Sequence, residues 1–368
     1  ELVSFLTKEY NQAINDRSKM IKDCKQWVLQ ASSRLKRDDA RPRDSNIDIP
    51  LTRKRMMQNA ARLKNPILQQ DRLFVTPPRS GTNEDLARKL EDAVDYMSDQ
   101  IDYNALLDDW IEQIQIFPCG IVKTPFITKK EKIVRWEQID LDGYNTALLE
   151  GESGLVRREM ENEVKYFKEL SDTVIRKQGA FPEVIPFEDF VVPAHTIDVD
   201  SADWVTHRVF LTKRDIQSRI SEGIYNKTDN GNKVLESLGK PEATREKLIN
   251  PTPEDDKKAE PPAKQFEVLE TYICYDVDGD KEAEQIIITW ELKSGVVLRA
   301  LHNFYHEYRR PFVTHAYKRI IGSIYGNSLT YLLEPLHRAN SASFNQRFDA
   351  ASLANEKIVV VPVGSDLK

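Results

Sequence analysis

His302 and His306 stand four residues apart, the separation at which two imidazoles on one helix can share a metal ion. The residues around them are strand-like and lead directly into Arg310-Pro311. In an extended strand four residues span ~13 Å, beyond the reach of a single ion. Metalloprotease chemistry also needs a Glu directly after the first His, and Asn303 and Phe304 follow His302 instead. Asp276-Val277-Asp278-Gly279-Asp280 opens like a calcium loop. Lys281 and Ile287 stand where an EF-hand requires Gly and Glu, so the segment reads as a β-turn. Ten Asp/Glu crowd the stretch from Glu84 to Glu112 against Arg88 and Lys89. Such a density, with Asp108 and Asp109 in it, could imitate a two-metal nuclease site. Nothing elsewhere in the chain converges on it, and a solvated acidic helix face is the commoner reading.

Other chemistries lack their residues. There is no G-x-x-x-x-G-K-[ST] loop; Gly239-Lys240-Pro241 has neither the preceding glycine nor the hydroxyl, so no ATP-driven motor is expected. A G-x-S-x-G elbow and a coherent Cys–His pair are also missing. Cys24, Cys119 and Cys274 lie far apart without C-x-x-C spacing, which fits a reducing compartment with neither a disulfide framework nor structural zinc. The chain is expected to be no enzyme and to need no cofactor.

At 368 residues, with 40% hydrophobic and 30% charged residues, the chain can bury a large core and fold as more than one unit. No apolar run approaches the ~18–20 residues of a membrane span. The net charge of −6 hides an asymmetry: residues 1–64 hold 15 Lys/Arg and 8 Asp/Glu, a net of +7, which leaves −13 for the rest. A protein gripping nucleic acid over its whole surface would be basic throughout. The basic residues Arg34, Lys36, Arg37, Arg41, Arg43, Arg53, Lys54, Arg55, Arg62 and Lys64 form the best anion-binding candidate, with Arg53, Lys54, Arg55 and Arg62 at its centre. The cluster would touch DNA or an acidic partner. The plain alternative is a pair of solvated helix faces.

The elements that must position these residues follow from periodicity. Residues 1–37 carry an incomplete helical stripe, and Thr52 opens a second helix that Asn65-Pro66 should end. A short strand is expected over Arg72–Thr76, then a helix capped by Thr82 and Asp85 and continuing with interruptions to Ile114. Ile121–Thr128 and Lys132–Trp136 suggest a hairpin across a Lys-rich turn, and Leu155–Lys177 a charged helix. Trp204–Leu211 reads as a strand, and Thr212 with Asp215 as the cap of a helix ended by Gly223. Residues 226–264 are polar and Pro-rich, a loop. Four strand-like segments between Phe266 and Tyr317 suggest an antiparallel meander.

The stretch Arg309–Glu356 is the most informative. A strand-like Arg310–Tyr317 turns through Gly322-Ser323-Ile324-Tyr325-Gly326 into one long amphipathic segment. Leu329, Leu332, Leu333, Leu336, Ala339, Phe344, Phe348 and Ala351 recur there at helical spacing, with Glu334, His337, Arg338, Ser341, Asn345, Asp349 and Ser352 on other faces. Lys357–Val363 then begins a new strand five residues before the sequence stops, so the chain is expected to be part of a longer protein.

This order resembles the portal proteins of tailed bacteriophages, most closely those of short-tailed phages. Further collinear segments carry the resemblance: Thr52–Leu63 with Arg72–Pro77, Asp108–Lys123, and Pro186–Pro193 with Ala202–Arg208. It spans roughly Thr52 to Pro362, and no single motif in it is diagnostic. It implies an α+β portal-type fold, a ring oligomer in which a mixed helical and β wing precedes a long stem helix. The expected parts are an N-terminal basic helical region (1–64), the wing (65–225), a polar loop (226–264) and an antiparallel β meander (265–325). The stem helix (326–356) and the start of the clip (357–368) follow. The second stem helix, tunnel loop and crown would lie beyond Lys368.

The resemblance further implies a homo-oligomer of twelve subunits at one capsid vertex, assembled in the host cytoplasm. Double-stranded DNA would pass through it, and the terminase large subunit, a major capsid or scaffolding protein and a head–tail adaptor would dock on it. On the stem helix, Leu329, Leu332, Leu333, Leu336, Phe344 and Phe348 would pack against neighbours. Arg338, Asn345, Arg347 and Lys357 are candidates to face the channel or DNA. Physical reasoning agrees, because each Lys/Arg–phosphate contact adds affinity that opposes sliding, and a conduit with mostly neutral polar residues avoids it. The alternatives are another head–tail structural protein, for which the chain is long, and a metal-dependent nuclease using the acidic helix.

Overall fold

Internal packing divides the chain into two units, one comprising Glu1–Asp95, Asp102–Lys123 and Glu183–Lys368, the other Tyr96–Ile101 and Thr124–Pro182. The computed structural model describes residues 2–35, 44–70, 74–78, 83–150, 155–160, 163–229, 232–243, 264–277 and 279–355. The first unit opens with α1 (Leu2–Asp16) and α2 (Ser18–Ala31). They meet at Arg17 rather than forming the single helix expected over residues 1–37. Next comes α3 (Leu51–Leu68), which continues through the expected terminator Pro66. That proline lies within a turn of the helix end, where its missing N–H deprives the Arg62 carbonyl of an intrahelical donor and little helix remains to be disrupted.

Phe74–Thr76 is not a strand, and residues 71–73 lie outside the described residues. So does the expected cap Thr82, while Asn83 accepts from the Asp85 N–H (2.9 Å) at the start of α4 (Glu84–Asp99). Asp102 caps α5 (Tyr103–Ile116) by accepting from the Ala105 N–H. The chain turns at once into β1 (Gly120–Lys123). Only glycine fits at 120, since a Cβ there would lie 2.3 Å from Ile114 Cγ2.

The second unit is built on β2 (Phe126–Ile139), α6 (Leu141–Leu149), β3 (Leu155–Met160) and β4 (Glu163–Ala180), in the sheet order β2-β4-β3. Two expectations fail here. The Lys-rich stretch is no hairpin turn; a register shift at Lys129/Lys130 lets one strand run through it, paired from Phe126↔Ala180 to Ile139↔Tyr166. The expected charged helix over Leu155–Lys177 is the antiparallel pair β3–β4. Val164, Tyr166, Phe167, Val174 and Ile175 are β-favouring residues, and pairing with distant β2 decides their state.

The first unit resumes with β5 (Glu183–Val184), β6 (Phe190–Val191), β7 (Trp204–Leu211) and α7 (Lys213–Ser221). The capping box of Thr212 and Asp215 is fully formed, and Gly223 follows at φ +75°. Within the expected loop 226–264, β8 (Thr228–Asp229), β9 (Asn232–Lys233) and α8 (Val234–Ser237) form a small knot that buries Val234 and Leu238. Residues 244–263 lie outside the described residues. Then come β10 (Phe266–Tyr275), β11 (Glu284–Glu291), β12 (Val297–His302) and β13 (Phe312–His315), and finally α9 (Leu329–Asn355).

Three of the four expected meander strands are sequential neighbours in the antiparallel sheet β12-β11-β10-β7-β6. The fourth, β13, leaves it to pair with β1 in a second sheet, β13-β1-β5. The five-stranded sheet is covered on both faces. On one, α1 sets Leu6, Tyr10 and Ala13 against Trp204, Leu269, Ile288 and Trp290. On the other, Val205, Tyr272 and Ile287 join a core with Phe312 and residues of α2 and α5. Such two-sided burial explains why β10 and β11 read as nearly continuous apolar runs.

Candidate functional site

Ser328 starts α9: it is 1% exposed and its hydroxyl accepts from the Tyr331 N–H (3.1 Å), an N-cap. The face that α9 turns to its own unit is polar. Thr330 donates to the Gln115 carbonyl of α5 (3.0 Å), and Trp27 of α2 donates to Glu334 (3.0 Å). His337, 1% exposed, meets Thr52 through Nδ1 (3.0 Å) and Asp48 through Nε2 (2.6 Å). Gln30 donates to the same Thr52 hydroxyl (2.9 Å) and Asp48 also accepts from the Leu35 N–H (2.9 Å), which ties α2, α3 and α9 to one buried polar node.

Below that node an extended segment lies along α9. The N–H groups of Ser45, Ile47 and Ile49 donate to Asp349 (2.7 Å), Asn345 (3.0 Å) and Ser341 (3.4 Å), and Asn345 donates back to the Ile47 carbonyl (3.0 Å). Every second residue of the segment therefore meets every fourth residue of the helix. The two repeats are about 6.6 Å and 6 Å, close enough to stay in step over three contacts.

Away from these contacts α9 leaves four large apolar side chains in solvent, among exposed polar residues such as Asn340, Ser343 and Arg347. Leu332 (42%), Leu336 (55%), Phe344 (40%) and Phe348 (50%) are exposed, with Phe344 and Phe348 in ring contact at 5.7 Å. Of the six residues expected to pack against neighbours, these four face outward. Leu333 is half-buried, and Leu329 packs on its own core. Among the expected channel residues, Arg338 and Arg347 are exposed, and Arg338 pairs with Glu334 (2.7 Å) and donates to Gln26 (3.1 Å). Lys357 lies outside the described residues. Asn345 requires correction: it is 1% exposed and holds both backbone groups of Ile47, so it faces neither solvent nor a channel in this chain.

Arg53, Lys54, Arg55 and Arg62 are exposed on α3. Lys36, Arg37, Arg41 and Arg43 lie outside the described residues. Next to α3, the acidic α5 offsets part of this charge. Lys64 pairs with Asp108 (2.5 Å), and Arg53 opposes the burial and the nearby Asp109 that raise the Glu112 carboxyl above its usual range.

The residues with chemical potential stay apart. His302 ends β12, while His306 stands almost fully exposed in a separate turn. The Asp276 carboxylate is occupied by the Gly279 (2.6 Å) and Lys281 (2.9 Å) N–H groups, the geometry of a turn. Burial pushes the Cys24 and Cys119 thiols up to about 12, which suppresses the thiolate. Among the described residues, no group of three or more His, Cys, Asp or Glu could hold a metal ion.

Sequence reasoning missed the buried charges. Arg17 reaches the carbonyls of Phe190 (2.5 Å) and Phe187 (3.0 Å) and stacks over the Phe187 ring. Arg310 donates to the Val199 carbonyl (2.7 Å). Lys123 of β1 reaches Glu270 of β10 (2.9 Å) and His207 of β7 (3.2 Å), tying the two sheets together, and Tyr272 donates to Glu270 (2.5 Å). Burial alone would raise the Glu270 carboxyl. Lys123 and His207 outweigh it, with hydrogen bonds from Tyr272 and Lys123, and hold it at about 2. The signal available in sequence was a charged residue inside an apolar strand, as at Glu270 in Phe266–Tyr275.

No curated protein matches the chain. The family model described as Phage SU10 portal protein matches residues 2–365, nearly the whole chain. On the strength of that match the chain belongs to the phage SU10 portal protein family, structural proteins of the bacteriophage virion.

Proposed function

We propose that this chain assembles into a closed ring, a dodecamer by family resemblance, at one vertex of the capsid. There it serves as the conduit through which double-stranded DNA is packaged and ejected. The observation that carries the reading is the arrangement of α9, which uses polar side chains to hold its own unit and leaves Leu332, Leu336, Phe344 and Phe348 exposed. A neighbouring copy is the economical cover for these exposed leucines and phenylalanines. The same ring would present docking surfaces to the terminase large subunit, a major capsid or scaffolding protein and a head–tail adaptor. DNA contact is expected to be weak, sequence-independent and strongly salt-sensitive, because no element among the described residues presents a base-reading helix.

Negative-stain electron microscopy of the full-length protein tests the assembly, with rings around a central hole as the expected result. Native mass spectrometry that finds only monomers and dimers over a wide concentration range overturns it. A footprint on one defined DNA sequence would contradict the conduit reading of the DNA contact.

A further inference from the structure

The loop 318–323, between β13 and α9, holds two isoleucines in water. Ile320 is 46% exposed and Ile321 entirely so. The loop is firmly held at its base. Lys318 and Asn327 exchange backbone hydrogen bonds (3.1 and 2.9 Å), Ile324 donates to the Thr196 carbonyl (3.0 Å), and Gly326 donates to the Pro118 carbonyl (2.9 Å). Gly326 sits so close to the opposite strand that a Cβ would fall 2.4 Å from the Lys318 carbonyl oxygen. At the tip, Gly322 takes φ +78°. Turns favour Gly, Asn, Asp, Pro and Ser, so turn geometry does not account for adjacent β-branched residues there. A loop anchored at both ends that presents apolar side chains loses little conformational freedom on docking. Lys318 and Arg319 are exposed beside it.

A matching surface lies on α4. Leu86 (52% exposed), Leu90 (53%) and the exposed Ala93 recur at i, i+4 and i+7, an apolar stripe in solvent. Asp85 and Asp92 are exposed on the same helix with Lys89 between them, and the helix stays acidic overall, with six Asp/Glu against Arg88 and Lys89. Tip and stripe therefore agree twice, apolar against apolar and basic against acidic, and both are carried by one chain.

We propose that the 318–323 loop of one subunit seats Ile320 and Ile321 on the Leu86–Leu90–Ala93 stripe of the next copy, with Lys318 and Arg319 over Asp85 and Asp92. The contact joins two different surfaces, so it propagates head to tail rather than pairing two subunits by a twofold axis, and it makes a ring where the rotation between copies closes. It rests on the ring reading above and deepens it, adding a contact independent of α9.

The test is residue-specific crosslinking of the full-length protein. In a Cys274→Ser background, where Cys24 and Cys119 are buried, Leu90→Cys and Ile321→Cys are combined and treated with a short bismaleimide. Both positions are exposed, so neither change disturbs a core. The expected result is a denaturing-gel ladder from dimer upward, absent from either single-cysteine chain. Lys318→Glu with Arg319→Glu should lower ladder yield on the order of tenfold, and adding Asp85→Lys with Asp92→Lys should restore it. Rings by electron microscopy without a ladder, or only an intramolecular product, overturn this contact and leave the ring reading standing. Absence of both rings and ladder overturns both.

Discussion

Asn345 grips Ile47 by both backbone groups, accepting from its N–H and donating to its C=O, each at 3.0 Å. An asparagine in mid-helix thus acts as the edge of a strand would, and fixes the register of segment 45–49 on α9. Asn345→Ala leaves that N–H and C=O without their partner, at a cost of about 1–3 kcal/mol. Hydrogen–deuterium exchange should show faster exchange at Ser45, Ile47 and Ile49 with α5 unchanged. Unaltered exchange there would show that the side chain does not hold the segment.

His337 sits at the node of three helices. His337→Phe removes one partner each from the nearly buried Asp48, which keeps the Leu35 N–H, and from Thr52, which keeps Gln30, and should destabilise the chain by about 1–3 kcal/mol, read by chemical denaturation. His337→Gln, which can still bond one of the two, should fall between this variant and the parent.

Leu336 and Arg338 separate assembly from folding. Leu336 is 55% exposed in the single chain, so Leu336→Asp should change monomer stability by no more than about 0.5 kcal/mol while abolishing rings. Arg338→Glu loses the pairing with Glu334 and places two carboxylates at i,i+4, a cost of a few tenths of a kcal/mol, and should leave rings intact. Ring counts by electron microscopy beside denaturation curves decide it. Rings in Leu336→Asp and none in Arg338→Glu would mean that the faces of α9 have been assigned backwards.

Glu270 gives a pH dependence of definite sign. Its folded carboxyl is held at about 2, below the unfolded value of about 4.3. The stabilisation is complete above pH ~4.3 and is lost as pH falls through 2. Glu270→Gln should be destabilised at pH 7 by about 3 kcal/mol, because Lys123 remains buried without its carboxylate. The gap between variant and parent should narrow between pH 4.3 and 2, measured by denaturation at each pH. A constant gap would show that the pair does not carry the shift.

What could be read in the sequence was local. The strand Trp204–Leu211 appears as expected, and so does the Thr212–Asp215 cap, which neighbours within four residues determine. The strand pair β3–β4 was missed because its charged residues fit helical spacing and its partner β2 is distant in sequence. The long helix α9 was legible as an element, but the role of its polar face was not. Patterning assigns apolar residues inward and polar residues outward, whereas Thr330, His337 and Asn345 are the buried ones and Leu336 is exposed. The buried Arg17 left no periodic signal at all; only its carbonyl partners some 170 residues away explain it.

The matched repeats of segment 45–49 and α9 have a geometric consequence. A helix held by greasy contacts alone can roll about its axis by several degrees at little cost. One held by backbone groups at three successive turns cannot roll without breaking them together. In a ring of identical parts, an angular error at one joint recurs at every joint, and the total decides whether the last subunit meets the first. In the proposed ring, the strap of residues 45–49 would limit angular error by fixing the direction of the exposed apolar side chains of α9 before any neighbour arrives.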